Sequence, residues 1–148
     1  MSGTIQTDQK DGITVLRLDR PVANALAPDL RAALMTELDA AEAKAECRAV
    51  VLTGTGTGFS SGVDLTEYDE PLAAPRVGEI CKRIDAFSKP VVASLHGSAL
   101  GAGLGLALAA HGRVAQAGTR IALPEISLGM MPGAGVTQRL PRLVGAQA

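Results

Sequence analysis

The chain has 148 residues, with 14 Lys and Arg against 15 Asp and Glu and a formal net charge of −1. That length supports a hydrophobic core of its own, and the charge balance argues against a nucleic-acid or anionic-membrane partner. Hydrophobic residues make up 47% but aromatics only 2%, with no Trp, so the core is aliphatic and no stacking surface for bases is available.

The first ten residues carry no apolar run of the signal-peptide kind, which sets the expected compartment as the cytoplasm. Residues 13–18, Ile-Thr-Val-Leu-Arg-Leu, read as a strand ended by Asp19-Arg20-Pro21, and 22–26 as a loop. Pro28 suits a first helical turn and Asp29 complements the helix dipole. Leu30, Leu34, Leu38 and Ala41 recur at helical spacing, so a helix is expected over 28–45. Residues 49–53 form a buried strand, followed by the loop Gly-Thr-Gly-Thr-Gly at 54–58. The acidic, proline-flanked stretch 67–75 reads as an exposed connection. Val77, Ile80, Ile84 and Phe87 give a second amphipathic helix, stopped by Lys89-Pro90. A strand at 91–94 runs into a glycine turn and a helix from Ala102, whose apolar run at 99–110 is too short to span a bilayer. Two short strands, 113–115 and 120–122, flank a turn at Gly118-Thr119, and a last helix starts near Val136. Strands alternating with helices, and aliphatic throughout, predict an α/β fold: one domain over 1–148, with a largely parallel sheet covered on both faces. Cys47 and Cys81 lack metal-ligand spacing and are expected to be free, buried thiols.

The stretch 95–110 organises the rest. Between Gly97 and Ala110 no side chain is charged and only Ser98 is polar, so what this segment offers is backbone. Glycine and alanine permit close approach, and the first amides of a helix lack internal partners and sit at its positive end. Gly101-Ala102-Gly103 is therefore a candidate seat for an oxygen that acquires negative charge. Other motifs fit less well. A dinucleotide G-x-G-x-x-G pattern fails at Phe59 and at Leu106, and neither glycine cluster has the Lys-Ser/Thr end of a phosphate loop. Residues 58–62 match G-x-S-x-G, with Asp85 and His111 following in order. The strand-to-helix setting of a nucleophile elbow is missing, so a serine hydrolase using Ser60 stands only as an alternative. His96 is expected to be a hydrogen-bonded structural residue, and His111 a cap on a helix C-terminus. The charged cluster 64–70 is expected on a solvated surface, and Met130 and Met131 in packing.

Three ordered blocks, 59–65 (Phe-Ser-Ser-Gly-Val-Asp-Leu), 96–103 (His-Gly-Ser-Ala-Leu-Gly-Ala-Gly) and 123–140, together resemble the crotonase family, the enoyl-CoA hydratases and isomerases. Arg20-Pro21 with Asn24-Ala25-Leu26 resembles that family's first substrate loop, and 139–145 is similar to the hydratase half of multifunctional β-oxidation enzymes. The resemblance implies a ββα spiral that binds acyl-CoA thioesters, with coenzyme A as part of the substrate, no other cofactor and no metal. It implies that the N–H groups of Val63 and Ala102 stabilise an enolate, that Glu125 moves the proton and that Gly133 lies beside the catalytic water. Coenzyme A would run along Ala23, Ala25, Ser60, Gly62, Asp64, Leu65, Thr66 and Gly101. Two departures from the family follow. Gly105 stands where hydratases carry a second glutamate, which favours double-bond isomerisation and leaves hydration possible. The family's C-terminal helices, which cover the acyl pocket and build a trimer, do not follow Ala148. A truncated fold is therefore expected, with a homotrimer or hexamer only where the C-terminal part is present. A non-catalytic or vestigial acyl-CoA-binding module or subunit is the alternative.

Overall fold

The computed structural model describes residues 2–67 and 73–145. Strand β1 (Thr4–Lys10) pairs antiparallel with β2 (Ile13–Asp19). Asp11 and Gly12 between them both take positive φ, as a two-residue hairpin turn requires. β1 carries no apolar pattern that would announce it, because nearly all of its residues are polar and exposed, which is what an edge strand tolerates. Helix α1 (Pro28–Ala43) follows, then β3 (Ala49–Gly54), α2 (Val77–Asp85), β4 (Val91–Leu95), β5 (Ser98–Leu100), α3 (Ala102–Ala109), β6 (Gly112–Ala115), β7 (Arg120–Ala122) and α4 (Val136–Val144). The expected helices and strands are all present, within a few residues of their expected bounds.

The main sheet has the order β1-β2-β3-β4-β6, and only its β1-β2 pair is antiparallel. β6 and β7, expected as two strands around one turn, belong to different sheets. β6 extends the main sheet beside β4, and β7 pairs in parallel with β5. Leu16, Leu18, Val50, Leu52, Val91 and Ala93 lie on one sheet face and are fully buried with Leu30, Leu34 and Leu38 of α1. The opposite face, with Val15, Val51 and Val92, is only half-buried, and Val114 is 59% exposed. The expectation of a sheet covered on both faces is therefore corrected: branched aliphatic residues occupy both sides of these strands, but one side alone meets the core.

Helix α3 is buried from Gly103 to Ala109 on every side, as a helix with no charged residue can be. It packs against α2, α4, β4 and β5. Its C-terminal carbonyls are met by Arg113, whose Nη1 donates to Ala110 O at 2.6 Å. His111 does not cap it, contrary to expectation: its Nδ1 accepts from the Val91 amide at 3.0 Å, tying the start of β4 to the turn after α3. His96 is structural as expected, with Nε2 3.3 Å from Gly56 O. The C-terminus of α1 is held by Lys89, whose Nζ donates to Ala41 O, Glu42 O and Lys44 O at 2.9, 2.8 and 2.7 Å. Cys47 and Cys81 are free and buried. Among the described residues no helix is long and apolar enough to cross a membrane.

Candidate active site

The site is assembled from loops that leave the ends of β2, β3 and β5. Asn24, buried and at positive φ, joins the first two. Its Nδ2 donates to Thr55 O and Gly58 O at 3.0 and 2.9 Å, its Oδ1 accepts from Arg20 N, and its backbone oxygen accepts from Ser60 Oγ at 2.7 Å. Two isolated bridges extend the pairing, Leu26 with Val63 and Ser60 with Ala99. They carry the chain at Gly62-Val63 alongside the start of α3. A β-carbon built on Gly62 would lie 3.4 Å from Ala102 N. Neither the Val63 nor the Ala102 amide donates in the turn, loop and cap hydrogen bonds among the described residues. Ala102 opens α3, where an amide has no intrahelical acceptor.

Gly101, just before α3, has φ +51, and a β-carbon there would stand 2.5 Å from Glu125 Oε1. Glycine is required on both counts: the backbone is one that L-residues rarely adopt, and the carboxylate occupies the space. Glu125 sits in the 3-10 turn Pro124–Leu128, is 8% exposed, and its Oε2 has no hydrogen-bond partner among the described residues. Two cavities meet here. One, about 330 Å³, is lined by Arg31, Val77, Met131 and Gly133 among others; the second, about 320 Å³, by Ala25, Asp64, Leu65 and Leu128 among others. Val63, Ala102 and Glu125 line both, so these three residues stand where the two cavities adjoin.

The remaining expected site residues divide. Gly62, Gly101, Ala25, Asp64 and Leu65 line the second cavity, and Gly133 lines the first. Ala23 and Thr66 line neither: Ala23 O accepts from Ser61 N, and the Thr66 hydroxyl is bound to the Asp64 carboxylate. Ser60 is fully buried, bonded to Asn24 O and pressed against Gly103, so it faces neither cavity and is out of reach of a ligand in either. The same burial counts against the serine-hydrolase alternative. Asp85 is exposed beside Arg139, His111 is bound to Val91, and neither is bonded to the Ser60 hydroxyl. A β-carbon at Gly105 would meet Ala134 Cβ at 3.2 Å and Val136 Cγ1 at 3.3 Å, so packing fills that position and it opens into neither cavity. Met130 and Met131 line the cavities rather than the core, with Met131 85% exposed.

The charged cluster expected on a solvated surface is instead paired where it is described; 68–72 lies outside the described residues. Arg20 Nη2 reaches Asp64 Oδ2 at 2.8 Å. The Thr66 hydroxyl and amide, together with Arg20, hold the Asp64 carboxyl below its usual value. Glu67 is engaged by Arg31, a residue not among those expected at the site. Arg31 is 2% exposed, its Nη1 and Nη2 meeting Glu67 Oε2 and Oε1 at 2.6 and 2.9 Å. The available signal was its position: three residues before Leu34, Arg31 falls inside the apolar stripe of α1.

A family model described as enoyl-CoA hydratase/isomerase matches residues 8–148. The chain is 41% identical over 140 residues to a probable enoyl-CoA hydratase of Bacillus subtilis, covering 90% of this chain and 54% of that protein. It is 40% identical over 139 residues to a peroxisomal bifunctional enzyme of Danio rerio, covering 94% of this chain and 19% of the relative. A solved enoyl-CoA hydratase from Thermoplasma volcanium superposes with a TM-score of 0.88 at 33% identity, over 97% of this chain and 59% of that one. The chain thus spans about half the length of the Bacillus relative and a fifth of the Danio one. With a model match across nearly all its residues and the same backbone course as a solved member, the chain belongs to the enoyl-CoA hydratase/isomerase family, the crotonases.

Proposed function

We propose that the chain acts on acyl-CoA thioesters, with the amides of Val63 and Ala102 donating to the thioester oxygen and Glu125 moving a proton. The observation that carries this reading is one of position: two residues whose amides, and a buried carboxylate one of whose oxygens, have no partner among the described residues, all lining the same two cavities. Removal of a proton beside a thioester carbonyl puts negative charge on that oxygen. A donor aimed there is worth roughly 3 kcal/mol of barrier in comparable sites. Coenzyme A enters as part of the substrate, along the cavity lined by Ala25, Gly62, Asp64 and Leu65, and the chemistry needs no other cofactor.

Double-bond isomerisation is the favoured reaction. Glu125 takes a proton from C2 of a 3-enoyl thioester, the dienolate is held by the two amides, and the same carboxyl returns the proton to C4 to give the 2-enoyl product. Hydration asks for a second group to hold water while the first moves a proton. Gly105 offers none, and Ala134 and Val136 occupy the space beside it. The same observation favours a second reading, a module that binds acyl-CoA without turnover.

Parallel assays of trans-3-enoyl-CoA and trans-2-enoyl-CoA test the proposal. Isomerisation is expected to exceed hydration, and Glu125→Gln to lower both at least about a hundredfold. Calorimetric binding of a CoA thioester with no turnover would favour the binding module. Neither binding nor turnover would overturn both readings.

A further inference from the structure

We propose that Arg31 is the positioning residue for the Val63 amide, the donor that comes from a loop rather than from a helix. This rests on the acyl-thioester reading above. One guanidinium holds both the segment paired with Val63 and the turn that follows Val63. Before Val63, Arg31 Nη1 donates to Leu26 O at 2.6 Å; Leu26 is the residue bridged to Val63, and its own amide donates to Gly62 O at 2.7 Å. After Val63, the same guanidinium holds Glu67 through two bonds, in the 3-10 turn Leu65–Glu67. Its remaining donors reach Pro75 O at 2.7 Å and Ala73 O at 2.8 Å, on the chain that leads into α2.

Leu26 is bridged to Val63 and Pro75 precedes Arg76 and Val77, so these bonds tie down the neighbours of residues that line the first cavity, and Arg31 itself stands on α1, which is anchored to the sheet. The Ala102 amide needs no such device because α3 is buried all round. A lysine supplies three donors on one nitrogen and no planar fork, so it cannot reproduce the two-point grip on Glu67 together with the bonds to Leu26 O, Ala73 O and Pro75 O. The neutralising partner matters too. A lone buried charge is strongly destabilising, whereas replacing both members of a buried pair by apolar residues is often tolerated. Position can therefore be separated from stability.

The test uses the full 148-residue chain with Arg31→Met, Arg31→Lys and the double variant Arg31→Met/Glu67→Met. The first readout is the ¹⁵N resonances of Val63 and Ala102 without ligand. In each variant the Val63 amide is expected to shift or broaden while that of Ala102 stays in place. The second readout is isomerase kinetics, where kcat is expected to fall by about ten- to a hundredfold, the scale of a misplacement near 1 Å. KM should stay within about threefold, because the loss lies in the transition state. Lysine should restore only part of kcat. The double variant should melt closer to the parent chain than Arg31→Met does, yet remain as slow. An undisturbed Val63 amide, or a lowered melting point with unchanged kcat, would overturn the proposal. If Val63 moves in the variants while the parent chain neither binds nor turns over acyl-CoA, Arg31 still positions the loop and it is the acyl-thioester reading that fails.

Discussion

Gly101 leaves no volume for a side chain: its missing β-carbon would press on Glu125 Oε1, and its φ of +51 adds backbone strain to any substitution. Gly101→Ala is expected to displace the carboxylate and lower enoyl-CoA turnover about a hundredfold. The strain should cost about 1–3 kcal/mol in urea unfolding followed by circular dichroism. A second residue-scale outcome concerns Cys81, whose thiol is pushed up to about 12, chiefly by burial. Both cysteines should resist a disulfide reagent at pH 8 in the folded chain and react once it is unfolded, read as the absorbance of the released thiolate. At this scale the glycine turn and the buried helix after it were legible, because a run of glycine and alanine without charge can be enclosed on every side. Arg31 was not, because Glu67 and Pro75 lie 36 and 44 residues away and no local pattern announces them. The G-x-S-x-G match at 58–62 carried little weight because a five-residue motif says nothing of what buries its serine.

Helix α1 shows how an element can end without a glycine. It has no basic residue in its last turn, and Lys89, delivered from beyond α2, supplies the cation at its C-terminus. Charge-assisted bonds to helix-end carbonyls contribute more than neutral ones, so Lys89→Met is expected to lower stability by about 1–2 kcal/mol in chemical denaturation. Elements with strong periodicity, α1 and α2, and the aliphatic strands β2, β3 and β4 were readable from residue order. β1 was missed although Asp11-Gly12, a hairpin signal, marked its end. β5 was missed because three residues, Ser98 to Leu100, are too few to show a period. β6 and β7 were found but not their partners, since what divides them between two sheets is the course of the chain around α3.

For the molecule as a whole, several carboxylates hold the surface segments to the frame. Asp64 is held low by the Thr66 hydroxyl and amide and by Arg20, Glu42 by the Ser88 hydroxyl and by Arg83. Both folded values are depressed from the usual 3.8 and 4.5, so the stability they supply is complete above the unfolded values. It is lost as pH falls through the depressed native ones. Thermal melts by circular dichroism should drop below about pH 4, and Asp64→Asn should flatten part of that slope while lowering the plateau at pH 7. The α/β class and parallel order were legible in the alternation of aliphatic strands with helices. The half-buried second face was not, because Val15, Val51 and Val92 would suit either a covered or an uncovered side. One asymmetry in the site has a bearing on how this scaffold diversifies. A helix enclosed on all sides cannot tilt without unsettling its neighbours, whereas a loop fastened at two points can be redrawn between them. New reactions on this architecture should therefore arise through changes at 61–67, and a laboratory-evolution library would do better to sample that stretch than 102–109.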